Sequence, residues 1–186
     1  LRAGRLGWPG RQASVIVSSV NLSATTGAVA GMACIVAAFW RPRMIHLRAY
    51  RDSTDREAII QLWQEVFGYE TAHNEPGLAI DRKLAHRDDL FWVAQGPAGL
   101  LGTVMAGYDG HRGWLYSVAV HPACRGQGLG RQLVQHAEQA LQALGCLKIN
   151  LQLVAINGAT AAFYEAMGYA VEPRISMGKV LKDNLP

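Results

Sequence analysis

The run Arg125-Gly126-Gln127-Gly128-Leu129-Gly130 holds the residues of this chain best suited to chemistry. It follows an apolar stretch, Val118-Ala119-Val120, closed by His121-Pro122. It precedes a stretch in which Leu133, Val134, Ala137, Leu141 and Leu144 share one helical face. A glycine-rich turn between a strand and a helix exposes the unpaired N–H groups of the first helical turn, and the helix dipole adds about half a positive charge there. Glycines remove the β-carbons that would hold an anion away from that backbone. The chemistry on offer is phosphate binding; the competing reading is a tight strand-to-helix corner with no ligand.

Two common phosphate loops are excluded by the residues present. A nucleoside-triphosphate loop requires Lys and then Ser or Thr after its last glycine, and Arg131-Gln132 stands there. The dinucleotide fingerprint spaces its glycines as G-x-G-x-x-G in a parallel βαβ unit with an acid about 20 residues later. Here the spacing is G-x-G-x-G, and Asn150 occupies the acid's region.

The elements that must hold this loop follow from periodicity. Residues 44–50 alternate apolar and polar as a strand. Asp52-Ser53-Thr54-Asp55 offers helix N-caps ahead of Ala58, Ile59, Leu62, Trp63, Val66 and Phe67 at helical spacing. Asn74-Glu75-Pro76-Gly77 marks a turn, and 78–86 predicts a second short helix. Residues 90–94, 100–108 and 114–120 read as strands, joined by turns at 96–99 and 109–113 short enough to make them antiparallel. Beyond the loop and its helix, Leu147, Ile149, Leu151 and Leu153 alternate with polar residues as a strand. A last helix runs from Asn157 through Met167, and 169–171 and 175–181 predict two closing strands. The order β-α-α-β-β-β-α-β-α-β-β describes an α/β fold of the α+β kind, a mixed sheet with helices against it.

Two segments in this order resemble a known family. Val118-Ala119-Val120-His121-Pro122 followed by Arg125-x-x-Gly128-x-Gly130 closely resembles the coenzyme A loop of the GNAT acetyltransferases. Asn157, Phe163-Tyr164-Glu165 and Gly168-Tyr169 resemble that family's second signature, with Thr160 where the family often has Ala. The run Gly107-Tyr108-Asp109-Gly110-His111-Arg112-Gly113 looks like the YpeA branch of bacterial GNAT proteins. The resemblance covers essentially all of residues 44–181. It implies a GNAT-like fold, a central, mostly antiparallel sheet flanked by helices. It also implies an N-acetyltransferase that moves an acetyl group from acetyl-coenzyme A to a primary amine, whether small molecule, amino acid or protein N-terminus.

The resemblance also implies roles. The backbone of Arg125, Gly126, Gln127, Gly128, Leu129 and Gly130 would hold the coenzyme pyrophosphate. The Arg125 side chain would either add a charge-assisted contact or stand solvated. The main chain of Val118 and Val120 would pair with the pantetheine arm like an added strand, with the Val118 amide polarising the thioester carbonyl. Asn157 would contact pantetheine amides or serve as a plain N-cap. Tyr164 would be the general acid that protonates the departing thiolate, set against a core tyrosine satisfied locally. No general base stands out: Glu65, Glu75, Asp81, Asp109, His111 and His121 all have solvated or structural readings. The alternative functions are a non-catalytic coenzyme A-binding module and an unrelated phosphate-ligand protein.

Composition sets the outer bounds. The chain has 186 residues, half of them hydrophobic and 17% charged, enough for one domain with a sizeable core and too apolar for a disordered tail. Of its 18 Lys and Arg, Arg2, Arg5, Arg11, Arg41 and Arg43 precede Met44, where no acid occurs; the remaining 13 face all 14 Asp and Glu, a net −1. That body lacks the basic footprint nucleic acid requires. Cys34, Cys124 and Cys146 form no metal-ligand spacing, and a sparse odd count fits a reducing, cytoplasmic setting. Residues 12–40 carry no charge. Residues 1–43 read as an N-terminal extension: a signal peptide, a membrane segment, or upstream translation with Met44 the natural start. Residues 44–186 form the domain, with no membrane association expected and a homodimer permitted.

Overall fold

The computed structural model describes residues 45–68, 74–154 and 158–181; the extension before Met44, and Asn157, lie outside them. Strand β1 (His46–Ala49) leads into helices α1 (Asp52–Phe67) and α2 (Pro76–His86). Strands β2 (Phe91–Gly96), β3 (Gly99–Tyr108) and β4 (Gly113–Val120) follow, then α3 (Leu129–Ala143), β5 (Ile149–Asn150) and α4 (Gly158–Glu165). One sheet runs in the order β1-β2-β3-β4-β5. Its first pairings are antiparallel, as the short turns predict, and β4 with β5 is parallel because the α3 crossover returns the chain to the same end.

Each face of the sheet has its own cover. From α1 and α2, Ile59, Trp63, Phe67 and Ile80 pack on Phe91, Val93 and Met105. From α3, Leu129, Leu133, Val134 and Leu141 pack on Trp92, Val104 and Leu115. Each such buried side chain contributes about 1.5–3 kcal/mol relative to exposure. Among the described residues no helix is long and apolar enough to cross a membrane.

The start of α1 differs from the expected N-caps. Arg51 occupies the cap position with an extended backbone and no side-chain cap bond. The Asp55 carboxylate, 3% exposed, instead reaches back to accept the Arg51 N–H at 2.8 Å, while Arg48 of β1 donates to both its oxygens at 2.6 and 2.8 Å. Burial pushes the Asp55 carboxyl up, but Arg48, the Arg51 amide and Thr54 outweigh it and hold it below the usual range. A carboxyl depressed in the folded state stabilises the protein above its unfolded pKa of about 3.9, and this is lost as pH falls through the folded value. Asp55→Asn is therefore expected to cost about 2 kcal/mol at neutral pH, less than for a fully buried pair because Arg48 keeps contact with water. Melting curves should show the gap between wild type and variant holding above about pH 5 and closing only as pH falls below about 4, through the depressed folded value. A pH-independent gap would contradict this assignment.

In β4 the strand alternation is interrupted. Thr103 pairs with Ala119 and Met105 with Tyr116, so Ser117 and Val118 together oppose Val104, a β-bulge. The bulge resets which side chains face which layer. Leu115, Val118 and Val120 pack with the α3 cluster, and Tyr116 and Ala119 with the α1–α2 cluster.

The C-terminal part is less regular than its pattern predicts. The strand expected over 147–153 is two residues long, and 169–171 and 175–181 form no strand. Leu151 and Leu153 still pack on the α3 cluster, so the alternation reflects a real inner face. A strand also needs a paired backbone, and β4 pairs with β5 only at Gly113 and Trp114. The final segment is tied by side chains instead: Lys148 and Asn150 donate to Glu172, and Gln152 donates to Ser176 at 2.7 Å.

Candidate active site

The glycine loop begins where His121 ends β4. The His121 carbonyl accepts the Cys124 N–H at 2.8 Å and its Nδ1 accepts the Ala123 N–H at 3.3 Å, forming a short 3-10 turn over Pro122–Cys124. Cys124 is buried and anchors this turn, while residues 125–128 stay exposed. Gly126 and Gly128 adopt φ of 73° and 84°, the left-handed region that side chains resist, and open space surrounds the position of each missing β-carbon. Gly128 caps α3 without a side-chain bond. The chain turns tightly over 125–128, and among the described residues the N–H groups of 126–131 make no close, well-aligned backbone hydrogen bond. Main-chain donors at the mouth of a helix, in an exposed loop, are chemically suited to receive an anion.

The loop is pinned from its flanks. Gln127 Nε2 donates to the Ala123 carbonyl at 3.1 Å, and Arg125 Nε donates to the Val120 carbonyl at 3.2 Å, which folds the arginine back over the end of β4. Because β5 leaves β4 after Trp114, residues 115–120 of β4 have no strand on that side among the described residues. A row of main-chain groups, including those of Val118 and Val120, thus lies along that edge, which ends at the loop.

Helix α4 closes the other side. A β-carbon on Gly130 would stand 3.4 Å from Phe163 Cζ and 3.7 Å from Val120 Cγ2, so the loop, the end of β4 and α4 converge there. Arg131 donates to the Ala166 carbonyl at 3.2 Å and Tyr169 to Glu138 at 2.8 Å, fastening α4 and the turn after it onto α3. Tyr164, 5% exposed, sits edge-on to Phe163 and Tyr169 with ring centroids at 4.9 and 5.5 Å. Burial pushes its phenol well above the ordinary range. The hydroxyl is protonated at neutral pH.

Several residues considered as a base are engaged in local structure. Glu75 caps α2 by accepting the Gly77 and Leu78 amides at 2.8 and 2.6 Å. Asp81 pairs with Arg56, and Asp109 forms its turn by accepting the His111 and Arg112 amides. Glu65 lies 4.0 Å from His121, both partly exposed. Among the described residues no His, Cys, Asp and Glu side chains are grouped to hold a metal ion.

Sequence reasoning missed two buried polar groups behind β4. Lys83 of α2 donates to Asp88 at 2.6 Å and to the Ala106 carbonyl, where the Tyr116 hydroxyl also donates at 3.0 Å. Burial lowers the Lys83 pKa against the opposing pull of Asp88. Thr103 of β3 is fully buried between Trp63 and Ser117. No local pattern marks either, since their partners come from other elements.

A mixed sheet parted between a bulged antiparallel strand and a parallel neighbour, with an exposed glycine loop beside the parting, fits the fold that the sequence resemblance implies. The sequence profile of the acetyltransferase (GNAT) family matches residues 56–169. An acetyltransferase of Pectobacterium atrosepticum is 40% identical over 137 residues, which cover 74% of this chain and 96% of that protein. An acetyltransferase of Yersinia enterocolitica is 38% identical over 137 residues with the same coverage. An aminoglycoside N-acetyltransferase solved in complex with CoA shares the fold at a TM-score of 0.61 and 16% identity, covering 73% of this chain and 94% of that one. The chain belongs to the GNAT acetyltransferase family.

Proposed function

We propose that residues 44–186 bind acetyl-coenzyme A in the cleft between β4 and β5 and pass its acetyl group to a primary amine, with Tyr164 as general acid. The observation that carries this reading is the set of open amides at 126–131, lying beside the unpaired edge of β4 and the helix of Tyr164. The bound coenzyme supplies an activated thioester and a thiolate leaving group. The loop amides hold the pyrophosphate, and Arg125, tethered through Nε, adds positive charge beside it. The exposed edge at Val118 and Val120 binds the pantetheine arm through main-chain hydrogen bonds. The Val118 amide polarises the thioester carbonyl. Tyr164 gives its proton to the departing sulfur, a role that its raised pKa keeps available at neutral pH. Asn157, just before α4, assists with the pantetheine amides. The free thiols of Cys124 and Cys146 suit a reducing cytoplasm.

Calorimetric titration with acetyl-coenzyme A, followed by thiol release across a panel of small amines, amino acids and peptide N-termini, tests this. Binding together with thiol release for at least one amine class is expected. Binding without release for any amine would favour a coenzyme A-binding module, and absence of binding would overturn both readings.

A further inference from the structure

The bulge in β4 is held from behind by a buried hydrogen-bond relay. Ser117 adopts φ of 50°, a left-handed conformation that a non-glycine residue holds only when its surroundings enforce it. The enforcing contact is Thr103 Oγ1, which donates to the Ser117 carbonyl at 3.0 Å. Thr103 Oγ1 in turn accepts from Trp63 Nε1 at 2.9 Å, and both side chains are fully buried. An indole N–H can only donate. The relay therefore has one polarity: Trp63 occupies a lone pair of the Thr103 hydroxyl, and the single hydroxyl proton is directed at Ser117.

The consequence lies in the next bond. The Ser117 carbonyl and the Val118 N–H belong to one peptide unit, and in a planar trans peptide they point in opposite directions. With the carbonyl drawn inward to Thr103 of β3, the Val118 N–H is turned outward, to the edge of β4 that no strand covers among the described residues. We propose that Thr103, oriented by Trp63, is a positioning residue that aims the Val118 amide into the acyl-transfer cleft. This rests on the reading of that amide as the group that polarises the thioester carbonyl. The relay acts through the peptide plane and touches no substrate.

Thr103→Val removes the hydroxyl while keeping the shape, and Thr103→Ser keeps the hydroxyl. In thiol-release kinetics Thr103→Val is expected to lose about tenfold in kcat with the KM for acetyl-coenzyme A within about twofold, and Thr103→Ser to restore kcat. In nitrogen-15 spectra of the unliganded full chain, Thr103→Val should move the Val118 amide resonance and leave those of Gly126 and Gly128 in place. An unchanged kcat in Thr103→Val, a kcat that Thr103→Ser fails to restore, or an unmoved Val118 resonance overturns the proposal. If Thr103→Val does not fold, Trp63→Phe frees the Thr103 hydroxyl to rotate; it should lower kcat in the same direction, and full wild-type kcat would again overturn the relay. A wild-type protein that releases no thiol with any amine instead defeats the transferase reading, and the resonance arm alone then decides the relay.

Discussion

Replacing Tyr164 with Phe is expected to lower kcat by about 100-fold while the affinity for acetyl-coenzyme A stays within about twofold. The structure makes this a clean substitution. The Tyr164 ring is held by edge-on contacts with Phe163 and Tyr169 that a phenyl ring reproduces. The substitution removes one hydroxyl and leaves the ring, so the packing of α4 on its neighbours is retained. Stability should change little, and a fall in turnover then reports chemistry. A second signature follows from burial. A phenol pushed above its ordinary value of about 10 remains an acid through neutral and mildly alkaline pH, so kcat should show no decline from its ionisation between about pH 6 and about pH 9. Steady-state thiol release with parallel calorimetry checks both statements. Unchanged turnover in Tyr164→Phe removes the residue from the mechanism.

Gly128→Val is expected to weaken acetyl-coenzyme A binding by about 100-fold, with kcat at saturation much less affected. Two effects combine. A β-branched residue forced to φ of 84° carries backbone strain of about 1–2 kcal/mol. Its side chain would also fill the open space in front of the exposed loop amides. Gly145 provides the control, because it holds φ of 82° with open space around it at the opposite end of α3. Gly145→Val should lose similar stability and leave the dissociation constant unchanged. Equal loss of binding in the two variants would mean that strain in α3, and not the cradle, governs affinity.

Much of the architecture was legible because it is local. Turns at 96–99 and 109–113 are short enough that only antiparallel neighbours can result, and the apolar face of α3 repeats at helical spacing along a single segment. The anion loop was legible for the same reason: adjacent glycines, a strand before them and a helix after them are contiguous residues. Beyond that range the reading failed in identifiable places. Asp55 was expected only as one of several possible caps, yet it is a buried carboxylate, because Arg48 reaches it from a neighbouring strand. Residues 175–181 read as a closing strand, but pairing depends on a free edge nearby, and β5 supplies only two residues of one.

The sequence by itself determined which segments can be strands, which faces are apolar, and that one glycine-rich loop joins a strand to a helix. Those properties depend on residues within a few positions of one another, through side-chain alternation, helical repeat and turn stereochemistry. The tertiary structure alone decided that Val120, Gly130 and Phe163 meet at one point, that β4 is bulged at Ser117, and that a tryptophan and a threonine from two other elements set the tilt of a single peptide group. A peptide plane takes its orientation from whatever its carbonyl finds across the sheet, and that partner is a fact of packing that no stretch of neighbouring residues records.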